Sequence, residues 1–230
     1  KIKEGAKGEG RYFSTPNEAI TVYDFGEVDL RAKIKIMGTD KAKYKAFGSP
    51  IFETTVGRLL FNNILPDDFP YTNEDMSKKN LSKIVAQIIE TYGTEFAPDV
   101  LDKIKKFGFQ YATKAGISWG LDDLLVPTEK PVIIEEARKK ATDIDKQHKD
   151  GLLTEEERYR SVVEIWQKAK EDVCNLLPKT LENANSPVFS VVNSGARGNW
   201  TQVGQMAGMK GLVVSPAGKI IDFPVIPSYK

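Results

Sequence analysis

The feature that most constrains this chain is a pair of long, highly charged helical patterns, Pro131–Lys149 and Thr154–Leu181, separated only by Lys149-Asp150-Gly151-Leu152-Leu153. Thr154-Glu155-Glu156-Glu157 has the reciprocal hydroxyl and carboxylate of a capping box, so the second helix starts there. Two helices with so short a link pack antiparallel. Ile133, Ala137, Ala141 and Ile144 on the first arm then face Tyr159, Val163, Trp166, Ala169 and Val173 on the second, a narrow apolar seam between charged faces. About twenty residues at 1.5 Å each carry such an arm roughly 30 Å outward. So thin a seam is not expected to form a domain core. The residues alone leave two readings level, a solvated spacer or rim and a docking surface.

The segments around the hairpin follow other periods. Thr15-Pro16-Asn17-Glu18 combines an N-cap hydroxyl, a proline at the first helical position and a capping carboxylate, which starts a short helix running to Phe25-Gly26. Leu30 to Met37 alternates apolar and basic residues, as a half-buried strand does. Thr54 to Leu65 reads as a strand end turning into a helix that Pro66 stops. Leu81, Ile84, Val85, Ile88, Ile89 and Tyr92 form a helical stripe closed by Gly93, and Val100, Leu101, Ile104, Phe107 and Tyr111 form a second, from about Pro98 to Gly116. These elements predict a compact α+β unit. After Ser186 a helical pattern is loaded with Gly195, Gly198, Gly204, Gly208 and Gly211, each costing up to about 1 kcal/mol inside a helix. Close backbone approach or bending would offset that cost. A strand pair, Leu212–Val214 and Lys219–Val225, turns at Ser215-Pro216-Ala217-Gly218. The predicted fold class is α+β, mostly helical.

Charge and composition narrow the function. In 230 residues, 33 Lys and Arg balance 32 Asp and Glu, a net charge of +1, which argues against a protein held on nucleic acid by a general basic field. With 40% hydrophobic and 28% charged residues the chain is globular rather than disordered. One cysteine, Cys174, excludes an internal disulfide and a Cys-based zinc cluster, and one histidine, His148, removes most general-base schemes. No run reaches the eighteen or so apolar residues of a membrane span. The start at Lys1 without Met and the strand-like residues still running at Ile226–Lys230 lead to the expectation of a longer parent.

Most apparent motifs fail on geometry. Asp143 to His148 begins like a calcium loop but has His148 where the loop needs Gly and Thr154 where it needs Glu. Gly211 to Lys219 lacks P-loop spacing, and Gly8-Glu9-Gly10 lacks the third Gly of a dinucleotide fingerprint. The adjacent carboxylates Asp67-Asp68 and Asp122-Asp123 suit loop or cap roles better than one metal. One segment stands out. Asn193-Ser194-Gly195-Ala196-Arg197-Gly198-Asn199 sets an Arg between glycines beside hydroxyl and amide groups, which suits a guanidinium meeting phosphate oxygens with backbone N–H groups nearby. The competing reading is a glycine-rich bend with a surface Arg.

Asn193 to Gly198, followed by Gln205-Met206-Ala207-Gly208-Met209-Lys210-Gly211-Leu212, closely resembles the segment before the bridge helix in β′, the largest subunit family of bacterial-type DNA-dependent RNA polymerase. The likeness extends in order through Gly8-Glu9-Gly10, Thr54-Thr55-Val56-Gly57-Arg58, Asn63-Ile64-Leu65-Pro66, Phe109 to Ser118, Gly120-Leu121-Asp122-Asp123, Glu157-Arg158-Tyr159 and Ile165-Trp166. The resemblance implies a pore region at 1–125, a funnel with rim-helix hairpin at 126–185, and an F-loop segment at 186–230 that precedes the bridge helix. It differs from the family pattern at Gly204 and Lys210, where Arg is usual, and at Trp200, where smaller or polar residues are common.

The resemblance also implies roles. Arg197 would reach the triphosphate of an incoming nucleotide. Gln205, Met209 and Lys210 would support trigger-loop folding. The tip, Lys149, Asp150, Gly151, Leu152 and Leu153, would dock secondary-channel transcription factors, which tips the earlier balance toward docking. The implied partners are the β, α and ω subunits, NTPs, and DNA and RNA through the whole enzyme, with no membrane and a cytoplasmic or plastid setting. The implied activity is nucleotidyl transfer by the whole enzyme. Its Asp-rich motif, which binds Mg²⁺, and its trigger loop are absent from this sequence, so the chain alone is expected to be inactive and to hold no cofactor. The alternative is a free-standing helical module that binds partners through the hairpin.

Overall fold

The computed structural model describes residues 2–39, 42–45 and 50–230. It divides into two compact units, residues 1–116 and 117–230. Both are mixed and the whole is mostly helical, as the periodicities predict.

In the first unit, β1 (Tyr12–Phe13), β2 (Ile34–Met37) and β3 (Ile51–Thr54) form a sheet in that order. β1 runs parallel and β3 antiparallel to β2, with Ile36 opposite Phe52. α1 (Pro16–Asp24) starts where the capping residues predict, Thr15 Oγ1 accepting from the Glu18 N–H at 3.2 Å. The paired strand is shorter than the alternation from Leu30 suggests. Asp29 Oδ1 accepts from the Arg31 N–H and the Asp29 carbonyl from the Ala32 N–H, a turn that holds these residues out of the ladder. A short α2 (Ala42–Lys45) precedes β3, and α3 (Val56–Ile64) follows it. Phe13, Ile34, Ile36, Val56 and Leu59 are fully enclosed.

α4 (Lys78–Ala115) carries both predicted stripes in one helical run, broken at Gly93, whose φ of 80° no helix contains. The second arm resumes directly after Gly93, ahead of the predicted start at Pro98. Ile84, Ile88, Ala97 and Val100 bury against Phe61, Leu65 and Phe69. Ile89, assigned to the first stripe, faces solvent.

In the second unit, a 3₁₀ turn (Leu121–Asp123) leads to α5 (Lys130–Lys149) and α6 (Glu155–Asn183), the predicted hairpin. Its closed face is broader than the predicted seam. Ile134, Ala137 and Ala141 meet Val162, Trp166 and Ala169, with Met209 completing the layer and Leu212 and Ile226 against it. Val162 is buried in place of Val163, and Ile134 in place of Ile133, because the glycine-rich segment also packs on these helices and rotates the buried face. The expectation that the hairpin forms no core is therefore corrected. α6 is the spine of two clusters, the second built from Leu124, Leu177, Leu181, Val188, Val203 and Ala207. Through Leu124, the segment after Gly116 packs with this unit.

The remaining elements are α7 (Pro187–Asn193), α8 (Trp200–Val203), a π-helical turn (Gly204–Gly208), β4 (Gly211–Val214) and β5 (Ile220–Val225). β4 and β5 pair antiparallel as predicted, and the Gly218 N–H bonds the Ser215 carbonyl at 2.9 Å. The glycines of the π turn let it approach α6. A Cβ at Gly204 would stand 2.7 Å from Cys174 Sγ, and one at Gly208 would stand 3.3 Å from Leu177 Cδ1. Close backbone approach is thus what offsets their helical cost.

Candidate functional site

The Arg197 loop is anchored at both ends. Asn185, at φ 52°, ends α6, and the Ser186 N–H bonds the Leu181 carbonyl at 3.0 Å. Ser186 Oγ then accepts from the Val188 N–H and donates to the Asp123 carbonyl at 2.9 Å, fixing the start of α7. Beyond the loop, Asn199 and Gln202 form a reciprocal capping box on α8: Asn199 Oδ1 accepts from the Gln202 N–H at 2.8 Å, and Gln202 Oε1 from the Asn199 N–H at 3.2 Å.

Between these anchors the chain turns twice through left-handed glycine, at Gly195 (φ 76°) and Gly198 (φ 72°). The Gly195 N–H bonds the Val192 carbonyl, and the Arg197 N–H reaches the Val191 carbonyl at 3.5 Å. The N–H groups of Ala196 and Gly198 have no acceptor among the described residues. Arg197 is exposed, and its guanidinium makes no hydrogen bond or ion pair among the described residues. An exposed cation on an anchored loop that also carries two free N–H donors has the chemistry of an oxyanion site.

The other residues singled out from the sequence occupy different settings. Gln205 is half-buried and its carbonyl accepts from the Tyr229 N–H at 3.1 Å. Met209 is fully enclosed in the hairpin core. Its N–H makes the π-type bond to the Gly204 carbonyl at 2.8 Å. The Lys210 N–H bonds the Pro227 carbonyl, and its ammonium lies 5.3 Å from the centre of the Tyr229 ring. Cys174 is half-buried beneath Gly204, and burial raises its thiol pKa, away from nucleophilic character.

At the hairpin tip, Lys149 ends α5, Asp150 caps it and Gly151 turns at φ 76°. Leu152 is 72% exposed and Leu153 is half-buried. His148 pins this turn, its Nδ1 2.9 Å from the Leu153 carbonyl and its Nε2 3.3 Å from Glu155. Just beyond, Arg158 collects three carboxylates, Glu155 at 2.6 Å, Asp222 at 3.0 Å and Asp145 at 3.3 Å. The Arg158 bonds hold Glu155 below the usual carboxylate range. Sequence reading gave Arg158 no role of its own, since its partner Asp222 is 64 residues away.

A polar network was also missed in the first unit. Asn62 donates to the Arg58 and Thr72 carbonyls and accepts from the Thr72 N–H, all within 2.9 Å. Arg58 donates to Asn73 and Asp75, and Thr54 Oγ1 lies 2.7 Å from Tyr71 Oη. Burial raises the Tyr71 pKa and keeps the phenol neutral. The network fastens residues 71–75 to α3 and borders a cavity of about 220 Å³ lined by Arg58, Phe61, Phe107 and Tyr111.

The adjacent carboxylates singled out in the sequence have separate partners. Asp123 Oδ2 accepts from the Gly120 N–H, Asp68 accepts from Tyr92, and Asp67 lies 3.5 Å from buried Lys43. Among the described residues no group of three or more His, Cys, Asp or Glu could hold a metal ion. Among the described residues no helix is long and apolar enough to cross a membrane.

Two family models cover most of the chain. Residues 6–124 match RNA polymerase Rpb1, domain 3, and residues 153–227 match RNA polymerase Rpb1, domain 4. The chain belongs to the family of RNA polymerase largest subunits. Its similar curated relatives are β′ subunits of bacterial DNA-directed RNA polymerase. It is 39% identical to that of Sulfurihydrogenibium sp. over 98% of the chain, 41% identical to that of Heliobacterium modesticaldum over 99%, and 39% identical to that of Acetivibrio thermocellus over 100%. The chain spans only 14, 20 and 21% of the length of these relatives, respectively.

Proposed function

We propose that the chain lines the secondary channel of a β′ subunit, where nucleotides enter a DNA-directed RNA polymerase, and that Arg197 meets the nucleotide triphosphate. The observation that carries the reading is the Arg197 loop, whose guanidinium and whose Ala196 and Gly198 N–H groups have no partner among the described residues and whose backbone is held between two capped helices. A guanidinium on such a loop is suited to stabilising charge that grows on a leaving pyrophosphate. Gln205, Met209 and Lys210 act behind it by holding the π turn against α6 and the C-terminal residues. Nucleotidyl transfer belongs to the whole enzyme, with Mg²⁺ supplied by residues outside this chain. The β, α and ω subunits are the partners within it, in a cytoplasmic setting.

The hairpin tip is the docking point for transcription factors that enter this channel. Exposed Leu152 on a turn pinned by His148 supports it, since a rigid apolar side chain costs little entropy to bury. A nucleotide with a photoreactive group on its γ-phosphate, bound to the assembled polymerase, tests the site: label within Gly195–Asn199 supports the reading, and label confined elsewhere contradicts it.

A further inference from the structure

The strand pair is fastened at both ends, and its two fastenings lie far apart on the second unit. At one end Arg158 Nη2 donates to Asp222 Oδ2 at 3.0 Å, Tyr159 Oη donates to the Ile220 carbonyl at 2.9 Å, and the Lys219 ammonium sits 4.6 Å from the centre of the Tyr159 ring. At the other end the Tyr229 and Lys230 N–H groups bond the Gln205 and Met206 carbonyls at 3.1 Å, and Lys230 Nζ bonds the Leu124 carbonyl at 2.7 Å. Cys174, which backs the π turn, lies sixteen residues beyond Arg158 on α6, about 24 Å along the helix axis.

The far fastening grips the π turn, which holds an i to i−5 bond from the Met209 N–H to the Gly204 carbonyl. Such turns are rare and occur frequently at functional sites. The neighbouring arrangement is an α-helical ladder, one residue away in register. α8 continues directly into the π turn, so a shift displaces the loop that presents Arg197.

The near fastening is electrostatically unbalanced. Arg158 faces Asp145 from α5, Glu155 from its own helix and Asp222 from β5, three carboxylates for one guanidinium. Lys219 beside Glu155 offsets part of the surplus, and His148, 3.3 Å from Glu155, adds a positive charge only when protonated. A further basic group brought to the tip would therefore be attracted, and would compete with Arg158 for Asp222.

We propose that Ile220–Lys230 is a strap coupling the hairpin tip to the π turn, released when a basic side chain of a protein docked at the tip takes Asp222 from Arg158. The strap rests on the reading of the tip as a docking point. Its coupling element is the π turn, whose register both ends bias.

Hydrogen exchange in the assembled polymerase, read on peptides covering Gly204–Gly211 and Ile226–Lys230, tests the strap. Asp222→Asn should speed exchange in both roughly tenfold. Glu155→Gln, which removes a carboxylate from the same guanidinium without touching the strand, should leave both unchanged. No change at Gly204–Gly211 on Asp222→Asn, or an equal rise on Glu155→Gln, overturns the proposal. Leu152→Asp separates the two ideas. If it abolishes factor docking while Asp222→Asn leaves the π turn unchanged, docking stands and the strap falls. If docking survives Leu152→Asp, the docking reading falls and the Asp222→Asn result still decides the strap.

Discussion

Arg158 and Asp222, separated by 64 residues, meet through a 3.0 Å hydrogen bond that joins the hairpin tip to the last strand. Both side chains are partly enclosed, at 18% and 35% exposure, so the pair is screened less than an open surface bridge. A double-mutant cycle on Arg158→Ala and Asp222→Ala should return a coupling of about 1 kcal/mol, read from denaturant unfolding. A coupling indistinguishable from zero would make the contact incidental.

Gly204 lies against Cys174 with no room for a side chain. Gly204→Val should destabilise the chain by about 1–3 kcal/mol through overpacking. Cys174→Ala removes the sulfur a Cβ would strike, so the double variant should recover part of the loss. Thermal unfolding of the four proteins measures both effects.

Asn62 satisfies two carbonyls and one N–H at once in the first unit. Replacing it with Ala removes the side-chain partners of the Thr72 carbonyl and N–H and should cost about 2–3 kcal/mol. Asn62→Asp retains the acceptor but loses the donors, and should be destabilising as well. Chemical denaturation monitored on the aromatic cluster of Tyr44, Phe52 and Tyr71 reports it.

The capping carboxylate Glu157 is held below its ordinary pKa of 4.5, first by the Thr154 backbone N–H and then by the Thr154 hydroxyl. A carboxylate with a lowered folded-state pKa stabilises the fold above its unfolded pKa, and that contribution fades as pH falls through the folded value. Melting temperatures of the native chain and of Glu157→Ala should therefore differ at about pH 6 and converge toward about pH 3. A constant gap would place the effect of the substitution outside the cap.

Local chemistry was legible in the sequence wherever the deciding partner is close along the chain. Thr15 with Glu18, Thr154 with Glu157 and the turn before Lys219 all formed as expected, because each satisfies backbone groups within a few residues. The hairpin was legible from its period, but its buried face was not. Met209, Leu212 and Ile226 reach it from far along the chain and turn Val162 inward in place of Val163. The glycines at 204 and 208 signalled close approach without naming Cys174 and Leu177 as the neighbours. In the candidate site, the glycines flanking Arg197 were visible. The capping pair Asn199 and Gln202 is local, whereas the anchors Ser186 to Asp123 and Arg158 to Asp222 needed the fold.

Steady-state nucleotide addition by the assembled polymerase decides whether Arg197 meets the nucleotide triphosphate. Arg197→Ala should lower kcat/KM for nucleotide at least about tenfold, a loss of about 1.4 kcal/mol in transition-state stabilisation, with DNA binding unchanged. Arg197→Lys should recover only part, since a point charge cannot reproduce the planar fork. An unchanged kcat/KM in Arg197→Ala would contradict the account.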